Sequence, residues 1–108
     1  MRWLLLLTLV PTLAYADPAT DRLWRAKCAS CHGADGKGLT EQGKKMSIAD
    51  MSTADWQGRL DDGAIKLAIS DGLKRDKNGV HQEMEAYKAK LRAEELDGLV
   101  AYVRTLKK

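Results

Sequence analysis

The stretch KCASCH, residues 27–32, contains both cysteines of the 108-residue chain and one of its two histidines. Cys28 and Cys31 are three positions apart, and His32 follows directly. Three chemistries use such a cluster: a redox-active dithiol, a metal site, and covalent attachment of a haem. The rest of the sequence discriminates among them.

The first sixteen residues have the composition of a secretory leader. Arg2 precedes an apolar run over residues 3–10 that only Thr8 interrupts, and AYA at 14–16 offers small residues at both recognition positions of a cleavage site. The run is too short to span a bilayer as a helix. We therefore predict a signal peptide over residues 1–16, and one domain over residues 17–108 that is exported to the periplasm and soluble there.

Helical patterns dominate this domain. Asp17 is a typical N-cap and Pro18 suits the first helical position, so a helix is predicted over 18–29. The last helix has the clearest pattern, because its apolar residues recur at the spacing of one helix face. They are Leu96, Leu99, Val100, Val103 and Leu106.

Between these two helices the pattern predicts short helices and long connections. Helices are expected over 52–59 and 61–70, while residues 33–45 and 73–90 are predicted as loops. No strand is expected, since Asn78 and the glycine after it lie in polar sequence rather than between apolar strands. The predicted fold class is all-α.

Composition limits the function. The net charge of +3 is far below that of a nucleic-acid-binding domain, so nucleic acid is not expected as a partner. The chain has no phenylalanine, and a domain of this size often depends on a disulfide, a metal or a cofactor for stability. A bulky apolar cofactor would supply what this core lacks.

Two of the three chemistries fit the sequence poorly. A thioredoxin-like dithiol opens a helix after a strand, whereas this motif ends a helix. A structural zinc site needs four ligands, and His81, the other histidine, lies far outside the usual spacing. A disulfide across three residues would constrain the unfolded chain little. Cys-x-x-Cys-His is the attachment signature of c-type haem, which predicts thioether bonds from Cys28 and Cys31 and iron ligation by His32.

With that motif, the sequence resembles a small class I cytochrome c. The resemblance rests on Trp24 before CASCHG, on MEAYKAKL at 84–91 and on EELDGLVAYVRTL at 94–106. It implies a cytochrome c-like fold of about four short helices around one covalently attached haem c. It also implies that the first and last helices pack together, with Leu99 and Tyr102 against the first helix.

The resemblance also suggests the second iron ligand. In this family it is usually a methionine before the last helix, followed by proline and then an aromatic residue, and Met84 has the matching place. Glu85 stands where the proline is expected, which predicts a more mobile ligand segment. His81, Met46 and Met51 remain alternatives, of which His81 would give iron ligated by two histidines.

These expectations predict a periplasmic electron carrier rather than an enzyme. One iron would cycle between its ferric and ferrous states, with redox proteins as partners, no membrane span and a monomeric chain. The alternative is a haem enzyme or gas sensor with a labile or open sixth iron position. Basic residues flank the proposed ligand and would steer an acidic partner if they surround the haem edge, although an ordinary solvated surface explains them as well. They are Lys74, Arg75, Lys77, Lys88 and Lys90.

Overall fold

The computed structural model describes residues 17–108, in which six helices and one two-stranded sheet follow one another. In chain order these are α1 (Pro18–Lys27), α2 (Ala29–His32), α3 (Glu41–Lys45), α4 (Ala54–Arg59), α5 (Asp62–Asp71), β1 (Leu73–Lys77), β2 (Val80–Met84) and α6 (Ala93–Thr105). The predicted signal peptide lies outside the described residues. Among the helices that are described, none is long and apolar enough to cross a membrane. The predicted helical class is confirmed, with more helices than expected and one sheet.

The first and last helices form the centre of the core, as the resemblance implied. Trp24 of α1 stacks on Tyr102 of α6, with ring centroids 5.0 Å apart and planes 28° from parallel. Leu99, on the same helix as Tyr102, is only 1 % exposed. The Tyr102 hydroxyl donates to Asp21 Oδ1 at 3.0 Å, so a polar contact closes the edge of this apolar interface.

Each of the three short middle helices begins at a side-chain cap. Thr40 accepts from the Gly43 amide, Thr53 from the Trp56 amide and Asp61 from the Ala64 amide. These bonds satisfy amides that the first turn of a helix leaves without partners. Of these three helices, α4 and α5 confirm the helices predicted over 52–59 and 61–70.

Helix α3 corrects the prediction that residues 33–45 form a loop. Its five residues are too few to show an apolar period, so the pattern could not reveal it. The helix is held by its cap and by close packing of Gly43. A Cβ at Gly43 would collide with the carbonyl oxygens of Gly38 and Cys31, so only glycine allows this approach.

The β1–β2 hairpin corrects the prediction that residues 73–90 form an irregular connection. Its strands pair antiparallel, with Leu73 opposite Met84 and Lys77 opposite Val80. Asn78 and Gly79 both have positive φ, 53° and 78°, as a tight two-residue hairpin turn requires. Apolar alternation was the wrong criterion, because most side chains of this ribbon are exposed and no apolar face is needed.

Candidate functional site

The three chemical groups of the motif lie on a single turn of helix. Cys28 separates α1 from α2, and its carbonyl accepts from the amides of Cys31 at 3.3 Å and His32 at 3.0 Å. Residues three and four positions apart lie on the same face of a helix. The two thiols and the imidazole are therefore presented together by one local element.

Neither cysteine forms a disulfide. Cys28 is only 8 % exposed, and burial raises the pKa of its thiol to about 11, with a smaller contribution from Cys31. Cys28 is thus a neutral thiol near pH 7. A catalytic redox dithiol needs a thiol whose pKa is lowered so that the thiolate forms. The dithiol interpretation therefore finds no support in this environment.

His32 has a buried nitrogen without a partner. Within residues 17–108, its Nδ1 atom is buried and makes no hydrogen bond. Burial lowers the pKa of the imidazole, which favours the neutral form. A buried polar atom without a partner is costly and calls for an explanation. A neutral imidazole is the form that binds a metal, so this residue fits an iron ligand.

The backbone that carries the motif is held by hydrogen bonds to three consecutive carbonyl groups. The Thr40 hydroxyl donates to the Cys31 carbonyl at 2.6 Å, and the Gly38 amide donates to the His32 carbonyl at 2.8 Å. The Trp24 indole donates to the Gly33 carbonyl at 3.1 Å. These bonds leave the turn little freedom to change its conformation when the charge of the site changes.

Met84 approaches the same core from a distant part of the chain. It is the last residue of β2, half-buried, and packs against the buried cluster that includes Cys28. Three residues later, the Tyr87 hydroxyl donates to the carbonyl of Lys27 at 3.3 Å. Because Lys27 directly precedes Cys28, this bond ties the methionine segment to the cysteine motif.

The other candidates for the second iron ligand are placed differently. His81 is exposed and lies three positions before Met84 on β2, so the two side chains point to opposite faces of the ribbon. Its Nδ1 atom lies 3.0 Å from Asp76 Oδ1. Met51 is buried in the core, and Met46 is the C-cap of α3.

The donor set fits a haem rather than a bare metal ion. Within residues 17–108, no group of three or more histidine, cysteine, aspartate or glutamate side chains is arranged to hold a metal ion. Two free thiols, an imidazole with an unpartnered nitrogen and a thioether within an apolar cluster suit a cofactor that is attached covalently and ligated by its iron.

The basic residues around the methionine segment are partly neutralised. Lys74 lies 3.9 Å from Glu83 and Lys88 lies 3.7 Å from Asp71, while Lys90 pairs with Glu85. These pairs are exposed, and such pairs contribute little to stability. They favour the solvated-surface interpretation over a strongly basic docking site.

Sequence reasoning missed several residues that shape this site. Gly72 follows the predicted helix over 61–70, and nothing in the local sequence indicates that the Met84 backbone packs against it. Gln82 was not identified at all, yet its amide reaches the backbone of Met46, 36 positions away. The local sequence around Gln82 contains no signal of that partner. The repeated alternation of half-buried and exposed residues on β2 becomes visible only once the strand is known.

Comparisons with known proteins agree with this geometry. The family model described as Cytochrome c matches residues 19–107. A solved structure of the KustC0563 c-type cytochrome is similar, with a TM-score of 0.69 and 31 % identity over 82 % of this chain and 98 % of that chain. A point mutant of the same protein gives a TM-score of 0.66 at the same identity and coverage. No curated protein matches the sequence. This chain belongs to the cytochrome c family of haem-binding electron carriers.

Proposed function

We propose that this protein is a periplasmic one-electron carrier with one haem c, anchored by Cys28 and Cys31 and ligated by His32 and Met84. Membership of the family implies covalently attached haem c with its iron, and redox proteins as partners. The observation that carries the assignment of residues is the single helical turn with two free thiols and a buried, unpartnered imidazole nitrogen.

Cys28 and Cys31 act as anchors in this proposal. Each S–H would add across one vinyl group, so that a C–S bond forms and no electrons are exchanged with a redox partner. When bound, the haem supplies an iron that takes up and releases one electron.

His32 and the bonds around it serve to limit structural change. Burial lowers the pKa of the imidazole and so favours its neutral form, and the Trp24 ring lies 5.9 Å away. The carbonyls of residues 31–33 are each occupied by a donor. A ligand on a backbone held in this way changes position little between two charge states, which suits electron transfer rather than bond chemistry.

Met84 is the favoured second ligand. Its half-buried side chain belongs to the face of β2 that packs inward, whereas His81 faces solvent beside Asp76. The thioether is soft and polarizable, and methionine paired with histidine raises the potential of a cytochrome. With Met84 as the second ligand, the iron would have no free position for a small molecule, which suits electron transfer.

Spectra of the purified protein test the proposal. The expected result is low-spin iron in both redox states, with an iron–methionine charge-transfer band in the ferric form. Met84→Ala should abolish that band, while His81→Ala, on the same strand, should leave it unchanged. A band that survives in Met84→Ala and disappears in His81→Ala would assign the ligand to the histidine. Attachment is tested by the mass of the denatured chain, which should retain the haem.

A second candidate function is a haem enzyme or gas sensor with a labile sixth ligand. Glu85 favours it, because no proline restrains the backbone after Met84. High-spin iron that binds carbon monoxide readily without any substitution would support this candidate and contradict the carrier.

The location is also proposed. Cleavage after Ala16 would leave Asp17 as the first residue, and Asp17 caps α1. The mature domain would therefore keep its first helix complete. The mass of the protein from a periplasmic fraction should correspond to residues 17–108 plus one haem, and a mass that includes residues 1–16 would contradict the cleavage.

A further inference from the structure

We propose that the β1–β2 hairpin positions Met84 as an iron ligand, through close packing at Gly72 and a hydrogen-bonded tether at Gln82. This rests on the proposed function, since it assumes that Met84 is the ligand. Glu85 follows Met84, so no proline restrains this backbone. Its restraint must come from elsewhere in the chain.

Gly72 provides the first restraint. It ends α5 with φ of 73°, in the region where L side chains are strained. A Cβ at this position would collide with the Met84 carbonyl oxygen and would lie 2.9 Å from the Ala86 nitrogen and 3.0 Å from the Glu85 carbonyl carbon. Only glycine therefore allows the end of α5 to lie against the backbone of the methionine.

Backbone hydrogen bonds restrain the segment on both sides of the ligand. Before it, the ladder of the hairpin pairs Met84 with Leu73, the residue next to Gly72. After it, the Tyr87 amide donates to the Ile69 carbonyl at 3.1 Å and the Lys88 amide to the Ser70 carbonyl at 3.0 Å. The methionine is thus enclosed between a strand and the last turn of α5.

Gln82 provides the second restraint. It is half-buried and two positions before Met84, so both side chains lie on one face of β2. Its Nε2 atom donates to the Met46 carbonyl at 2.8 Å and lies 3.2 Å from that of Ser47, while Oε1 accepts from Arg75 at 2.8 Å. The amide thus connects the ribbon to the turn after α3, far away in sequence.

The two restraints act at different points. Gly72 sets how closely the methionine backbone approaches α5, and Gln82 prevents the ribbon from swinging away from the turn at 46–47. Loss of either should increase the fraction of molecules in which the thioether has left the iron. The apparent affinity for an added ligand rises in proportion to that open fraction.

The test compares two glycines that both have positive φ, in the haem-containing protein. Gly72→Ala should weaken the iron–methionine band of the ferric form. It should also raise the affinity for added imidazole in proportion to the fraction of molecules in which the thioether has left the iron, so a tenfold rise in that fraction gives an affinity about tenfold higher. Gly79→Ala is the matched control, because its φ is 78° but nothing lies within 4 Å of the added Cβ. It should keep the band and the wild-type affinity.

A second pair of variants decides the question if Gly72→Ala does not fold. Gln82→Glu keeps the oxygen that accepts from Arg75 and loses the amide that donates to the turn. It should raise imidazole affinity several-fold, with circular dichroism unchanged. Gln42→Glu, at an exposed position of α3, is the control and should leave imidazole affinity at the wild-type value.

The outcomes separate this inference from the function on which it rests. If Met84→Ala keeps the charge-transfer band, the ligand assignment itself is wrong. If Met84→Ala loses the band while Gln82→Glu and any folded Gly72→Ala bind imidazole like the wild type, the hairpin does not position the ligand. In that second case the electron-carrier proposal stands and the positioning role is overturned.

Discussion

Gln57 is a buried polar side chain that makes hydrogen bonds to three other residues. It lies on α4 and is only 8 % exposed. Its Nε2 atom donates to the Met51 carbonyl at 2.8 Å and to the Val103 carbonyl at 2.9 Å, and its Oε1 atom accepts from Arg104 at 3.0 Å. Gln57→Leu removes all three bonds and leaves two buried carbonyls without this donor.

The expected cost follows from these contacts. Each hydrogen bond contributes about 1 kcal/mol net, and a buried acceptor without a partner costs about 1–3 kcal/mol. The apolar leucine recovers about 1 kcal/mol through burial. The free energy of unfolding should therefore fall by about 3–5 kcal/mol. Leucine is a good helix former, so the loss would not arise from helix propensity.

Guanidinium unfolding of the haem-containing protein, followed by far-ultraviolet circular dichroism, measures this change. The midpoint should fall while the denaturant slope stays constant, because the exposed surface on unfolding is unchanged. Gln42→Leu, at an exposed position of α3, should shift the free energy of unfolding by less than about 0.5 kcal/mol. A loss below about 1 kcal/mol for Gln57→Leu would refute the reasoning that this amide joins α4 to α6.

Three further changes test other contacts. Leu99→Ala should lower the free energy of unfolding by about 3–5 kcal/mol, because the side chain is 1 % exposed and leaves a cavity; a denaturation midpoint close to wild type would contradict the packing. Tyr87→Phe removes the hydroxyl that holds the methionine segment, and the charge-transfer band should disappear at a lower temperature than in the wild type. Hydrogen bonds from Arg25 and Tyr102 hold the pKa of Asp21 below its ordinary value of 3.8. The stability that Asp21 contributes is thus present above that value and is lost as pH falls through the folded pKa. The melting temperature of Asp21→Asn should therefore approach that of the wild type at low pH. A difference in melting temperature that stays constant with pH would contradict this linkage.

Local signals predicted a large part of the molecule. Asp17 was predicted as the N-cap of the first helix, and the structure confirms it, because capping depends on atoms within three residues. Thr53 and Asp61 were predicted within the next two helices, and in the structure they are the N-caps of these helices. The last helix was predicted from its apolar period, even though Arg92 is an unfavourable cap. There the Glu95 carboxylate accepts from the Arg92 amide at 3.0 Å and ties the residue before the helix to its first turn.

The hairpin and α3 show where local reasoning failed. The hairpin has no apolar face, so the pattern that normally reveals a strand is missing from it, and its turn at Asn78 was the only available signal. Helix α3 is shorter than two turns and is held by packing against the cysteine motif. Both elements depend on contacts with residues that are distant along the chain.

The sequence by itself determined the chemistry of the protein: a Cys-x-x-Cys-His motif puts two thiols and an imidazole on one turn, because residues three and four apart share a helix face. Tertiary structure decided how the rest of the chain surrounds that turn. Tyr87 reaches Lys27 across 60 positions, and Gln57 reaches Val103 across 46. Such contacts depend on how helices and strands pack, and the residues next to each partner contain no trace of them.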